Sequence, residues 1–216
     1  MNKKKVLISC ICNLAIVVME MIGLIISFGN HSLGSLVFYT EDSNLLALIA
    51  CGIYCVYAIR YLREEKALIP RWVHTFKYMT TGCLAVTFLV VIFVLAPMSG
   101  AGGYYNMLIP GSFLFHHFLC PVVAMISFVF LEGNQPLTIR QNLYAVVPTL
   151  IYAVISVVLN IARVMEGPYP FLWVYKQPVY MSVLWFVLIV GGDYVFAWIL
   201  RRLNQVHLKG DNHELS

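Results

Sequence analysis

Charge is what this chain has least of. Asp, Glu, Lys and Arg make up 11% of its 216 residues, where a soluble domain carries about 25%. Hydrophobic residues make up 61%, and mean hydropathy is +0.82. So few charges exclude a surface solvated by water throughout, and lipid is the expected main solvent. Cysteine pairs are missing as well. Cys10, Cys12, Cys51, Cys55, Cys83 and Cys120 form no CxxC unit, and spacings of two and four residues suit zinc poorly. They read as small apolar core residues, and no metal or cofactor is expected. No basic tract is interleaved with aromatics, so a net charge of +4 does not indicate nucleic acid. Low-complexity tracts and internal repeats are missing too.

What remains is apolar sequence in long stretches. Runs of about 20 residues, the length that crosses a bilayer, occur at roughly 6–27, 44–62, 76–96, 113–131, 143–163 and 180–200. Only helices and closed barrels satisfy the backbone in hydrocarbon. These runs are too long and continuous for barrel strands. The expected fold is an all-α membrane protein, a single bundle of six transmembrane helices over 1–203, with a polar, unstructured tail over 204–216. "MNKKK" precedes the first run, but no small-x-small cleavage pattern follows, so a retained first helix is expected.

Basic residues set the expected orientation. With the N-terminus in the cytoplasm, 12 of the 14 fall inside, Lys77 among them; Arg163 and Lys176 fall outside. Both termini are then cytoplasmic. "MNKKK" and the short inner loops suggest a bacterial plasma membrane. The outer connections are the unusual ones. Segments 28–43 and 97–112 are rich in Gly and aromatics, and 164–179 holds three prolines and four aromatics. A site is expected to open on that side.

Polar residues inside membrane helices usually face the protein interior. In the first run Ser9, Asn13, Glu20 and Ser27 fall within about 40° of one another at 100° per residue. In the fifth, Thr149, Tyr152, Ser156, Asn160 and Arg163 share a face, and the sixth adds Asp193. Interhelical hydrogen bonding explains such stripes; a wet cavity explains them equally. Counting residues puts Glu20 in the outer half and Asp193 in the inner half, so they are not expected to act as a pair. Arg163 is a candidate partner for Glu20, Glu41, Glu166 or an anionic substrate group.

Thr40 precedes the second helix, and His116 and His117 open the fourth. A hydroxyl and an imidazole thus reach the same depth from separate helices. Threonine becomes a nucleophile when a base takes its proton, and histidine is the usual base. The other reading of Thr40 is an N-cap, with Glu41 and Asp42 favourable to the helix dipole.

"FYTEDSNLLA", "HHFLCP" and "YPFLWVY" resemble the androgen-induced protein family, six-helix hydrolases of fatty acid esters of hydroxy fatty acids with bacterial relatives. The likeness rests on Phe38-x-Thr40, on His116 five residues before Pro121, and on Tyr169-Pro170-Phe171-Leu172. It implies Thr40 as nucleophile and His116 as base, with a lipid ester drawn from the bilayer as substrate. Ser43, Asn44, Arg163, His117 and Tyr169 are candidates for holding substrate or oxyanion. His117 has no counterpart in the motif, and Asp42-Ser43-Asn44 is more polar than the animal pattern. Cys120, one turn after His116, offers a second nucleophile. Glu20, Glu41 and Asp42 are the acids available to orient His116. The alternative readings are a small-molecule binder, such as a transporter substrate-capture subunit, and a bundle without a site.

Overall fold

A computed structural model describes residues 2–64, 67–133 and 136–213. Among these, every regular element is helical. Helix α1 spans Lys3–His31 and α2 Tyr39–Arg63. Helix α3 covers Arg71–Met98, including a π turn at Val91–Leu95. The short α4 is Gly103–Leu108. Helix α5 covers Leu114–Phe130 and opens with a π turn over Leu114–Leu119. Helices α6 and α7 span Ile139–Ile161 and Val179–His213. Helices α1, α2, α3, α6 and α7 are long and apolar enough to cross a membrane; α5 is the shorter apolar helix. The architecture is that of an α-helical membrane protein.

Its polarity is reversed relative to a soluble bundle. Ser9, Asn13, Glu20 and Ser27 of α1 are all buried, while Ile11, Leu14, Val18 and Ile25 on the same helix are exposed. Lipid solvates the apolar rows; the polar ones need partners inside. Helix α3 is the most buried of the long helices and packs against α2, α5, α6 and α7. Its Thr80-Thr81-Gly82-Cys83 stretch is almost wholly buried, and small residues let helix backbones approach closely. A Cβ at Gly82 would lie 3.8 Å from that of Ala145. The Tyr78 hydroxyl lies 2.8 Å from Asn142 Oδ1 and 2.7 Å from the Ala197 carbonyl. It ties α3 to α6 and α7.

Three expectations change. Helix α2 begins at Tyr39, not near residue 44, so Thr40 lies inside its first turn. Phe38 holds the N-cap position, so Thr40 is not the cap. Helix α3 begins at Arg71, not near residue 76, which moves Lys77 from the start of the expected helix to its second turn, where it is buried. The polar segment after Leu203, expected to be a loose tail, continues α7 to His213. There Asn204 is buried, donating to the Phe128 and Glu132 carbonyls. Residues 214–216 lie outside the described residues.

Two connections fold back to build the site. After α3 the chain reverses through Gly102, at φ +80°, and Gly103, whose added Cβ would lie 2.0 Å from the Ala96 carbonyl oxygen. Only glycine permits that approach, and the reversal sets α4 over α5. Helix α6 ends as Arg163 takes φ 58°. The Asn160 amide then donates to the Glu166 carbonyl, and the turn at Pro170–Leu172 tucks Tyr169, Phe171 and Leu172 into the core.

Candidate active site

Thr40 is buried on α2, and its Oγ1 lies 3.4 Å from His117 Nε2 on α5. The other ring nitrogen, Nδ1, sits 2.6 Å from the Met107 carbonyl of α4. A carbonyl only accepts, so Nδ1 carries the proton, and Nε2 of the neutral ring presents its lone pair to the Thr40 hydroxyl. Phe113 stacks on the ring, centroids 4.6 Å apart. The imidazole is thereby fixed in plane, tautomer and direction. At 3.4 Å the hydroxyl and the ring nitrogen are within hydrogen-bond reach.

Tyr169 completes this corner. Its hydroxyl lies 3.5 Å from Thr40 Oγ1 and accepts from the Thr40 backbone N–H at 3.4 Å. Burial is the main cause pushing its phenol up to about 12, so it keeps its proton at neutral pH and has one to donate.

A second layer lies directly beneath. His116 is fully buried, with Nδ1 3.4 Å from Glu41 of α2 and Nε2 3.5 Å from Glu20 of α1. Ser27 donates to Glu41 at 2.8 Å. The Asn44 amide donates to the Thr40 carbonyl at 2.7 Å and to the His116 carbonyl at 3.4 Å. Ser43 donates to the Thr40 carbonyl and meets Thr87, both at 2.9 Å. Thr40–His117 and Glu41–His116 are thus adjacent contacts between the same two helix starts, laced by Asn44.

The sequence expectation paired Thr40 with His116. The hydroxyl instead meets His117, while His116 faces the two acids. Asn44 and Ser43 brace the backbone rather than point at a reacting atom. Arg163 is exposed and lies over the Tyr175 ring, 4.7 Å from its centroid; it belongs to the last connection, where Glu166 pairs with Lys176 instead. Asn160 is likewise used within that connection. Asp193 is buried near Gly82 on α3, apart from Glu20. Cys120 is buried in the core among Ile16, Cys51 and Leu84. Among the described residues, no group of three or more His, Cys, Asp or Glu is set to hold a metal ion.

Two features escaped the sequence reading. One is the Met107 carbonyl, since a backbone acceptor leaves no trace in residue types. The other is Lys77, fully buried with Nζ 3.1 Å from Cys51 Sγ and 3.9 Å from Glu132. Asn13 and Ser127 each donate to Glu132 at 2.7 Å. His74, Lys77 and Thr81 recur at helical spacing, a signal that could have revealed this buried face.

Alongside Thr40 runs a narrow apolar slot of about 60 Å³ between α2, α3, α6 and α7. Val86, Val90, Val157, Trp185, Phe186 and Ile189 form its walls, and Thr40 and Tyr169 form part of its polar end. Gly23 matters to the second layer, because a Cβ there would lie 2.3 Å from His116 Nε2. Gly23→Ala is expected to push His116 out of place and cost about 1–3 kcal/mol, the usual range for overpacking. Unfolding in mixed micelles checks this.

Comparison with family models, with curated proteins and with solved structures gives no match.

Proposed function

We propose that this chain is an integral membrane hydrolase of long-chain lipid esters, with Thr40 as nucleophile and His117 as base. The supporting observation is the Thr40–His117 contact, with the ring tautomer set by Met107, at the polar end of an apolar slot. The resemblance to hydrolases of fatty acid esters of hydroxy fatty acids points to the same class, although its motif names His116. The reading includes α5 as a sixth span, both termini in the cytoplasm, and a site toward the outer face of a bacterial plasma membrane.

In this mechanism an acyl chain enters from the bilayer and spreads the slot, bringing its ester carbonyl to Thr40. His117 Nε2 takes the hydroxyl proton as Oγ1 bonds to the carbonyl carbon. Tyr169 donates to the oxygen that becomes negative. The imidazolium then returns its proton to the leaving alkoxide, and the acyl group stays on Thr40. Water gives a proton to the same nitrogen and adds to the acyl carbon; the imidazolium then returns that proton to Oγ1 as the carbon–Oγ1 bond breaks, releasing the acid and restoring the threonine. Glu41–His116–Glu20 keeps the two helix starts in register beneath the reacting pair.

Labelling with a fluorophosphonate ester tests this. Wild type is expected to label, while Thr40→Ala and His117→Ala are not. Loss only in Cys120→Ala would transfer the nucleophile to α5. No labelling of any form would overturn the enzyme reading and leave the slot as a binding pocket.

A further inference from the structure

Helices α3 and α6 lie side by side with their N-termini at the same end of the bundle. Thr75 meets Gln141, Tyr78 meets Asn142, and Gly82 faces Ala145; both chains advance together, so the helices are parallel. Between them is an open groove of about 570 Å³. Its composition changes with depth. At the mouth are Arg71, Thr138 and Arg140. One to two turns further in, the walls become Phe76, Met79 and Tyr144.

The mouth is built, not merely charged. Gln141 reaches back to accept from the Thr138 backbone N–H at 2.7 Å and gives its amide to Thr75. The same Gln141 oxygen accepts from Arg71 Nη2 at 3.3 Å, and the Pro136 carbonyl lies 3.5 Å from that nitrogen. Arg71 is therefore held by one corner of its guanidinium. Arg140 is exposed beside it on α6. Among the described residues the lining contains no acid, and two parallel helix N-termini add their positive dipole ends to this mouth. Trp72, beside Arg71 at the mouth, is about half exposed, at 52%, as amphipathic rings are at the level of lipid headgroups. From Arg71 to Met79 is about 12 Å along the axis at 1.5 Å per residue, room for a headgroup and the first part of an acyl chain.

We propose that this groove is a binding site for an anionic phospholipid. Its phosphate sits between Arg71 and Arg140, and one acyl chain runs along Phe76, Met79 and Tyr144. Zwitterionic lipid of the same chain length fits the apolar walls equally well, but its choline places a cation at a mouth that already has two. The site is separate from Thr40 and does not depend on the hydrolase reading.

The test is native mass spectrometry of the full chain released from neutral detergent, titrated with dioleoyl phosphatidylglycerol, dioleoyl phosphatidylcholine or glycerol phosphate. Phosphatidylglycerol is expected to be retained at a defined stoichiometry and phosphatidylcholine much less. Arg140→Gln is expected to weaken phosphatidylglycerol about fivefold, since each arginine near a lipid surface contributes about that factor. Arg140 is exposed, so this variant is expected to fold; Arg71→Gln is the harsher second. Thr40→Ala should bind like wild type. Equal retention of the two lipids, or an Arg140→Gln chain that binds as tightly as wild type, would overturn the proposal. Retention of glycerol phosphate as strong as that of the lipid would also overturn it, leaving a soluble-anion site.

Discussion

His117→Ala is expected to lower kcat for long-chain ester hydrolysis by about 10²–10⁴-fold, the usual contribution of a positioned general base. KM should change far less, because the apolar slot is left intact. His116→Ala should behave differently. It removes no group from Thr40, but it leaves Glu20 and Glu41 facing each other in a buried site. Its main effect should therefore be on unfolding, with activity lost in proportion to the folded fraction. Tyr169→Phe forms the third member of the set. Loss of one oxyanion donor costs about 10²–10³-fold in kcat, and the ring's packing on Phe171 is retained. Steady-state kinetics on a chromogenic long-chain ester, with unfolding in parallel, separate the three. If His116→Ala loses kcat while folding normally and His117→Ala does not, the base is His116, as the family motif implies.

The second large effect concerns Glu132→Leu. It should destabilise the bundle by about 3–5 kcal/mol, the cost of leaving one charge of a buried pair alone. Lys77 is fully enclosed on α3, and Glu132 is its counter-charge. The same carboxylate also satisfies Asn13 of α1 and Ser127 of α5. One deletion thus loosens three helices at once. Lys77→Met alone should cost less, because Glu132 keeps both of those donors. The double variant Lys77→Met with Glu132→Leu should regain much of the loss, since no charge remains to be buried. Unfolding midpoints in mixed micelles measure each variant, and the double-mutant cycle isolates the coupling. A Glu132→Leu chain as stable as wild type would show that Lys77 is not charged in the fold.

Residue-level reasoning reached the Thr40 corner because the topology carried it there. The expected alternation of crossings puts every second connection on one side, and the fold brings the starts of α2 and α5 into contact there. Which histidine meets the hydroxyl was not legible. His116 was named from the family motif, and the π turn over Leu114–Leu119 rotates successive side chains less than an α-helix does, so α-helical spacing does not give the bearings of the two histidines. The setting of His117 also depends on the Met107 carbonyl, delivered by the Gly102-Gly103 reversal, and periodicity contains no information about that.

The polar stripe of α1 was legible in full, because a helix in lipid must turn Ser9, Asn13, Glu20 and Ser27 toward protein. Their partners were not. Lys77, at the start of the expected third helix, was counted with the inner charges because lysines that flank a span normally reach water. Only packing against Cys51 and Glu132 made enclosure affordable.

By itself, then, the sequence determined a helical membrane protein, the approximate position of its helices, and which face of α1 turns inward. Those follow from transfer of side chains and backbone between water and hydrocarbon, a local property of each segment. The tertiary structure alone decided the pairing of Thr40 with His117, the enclosure of His116 between two acids, and the burial of Lys77. Each of these depends on the distance between groups on different helices, which no single segment encodes.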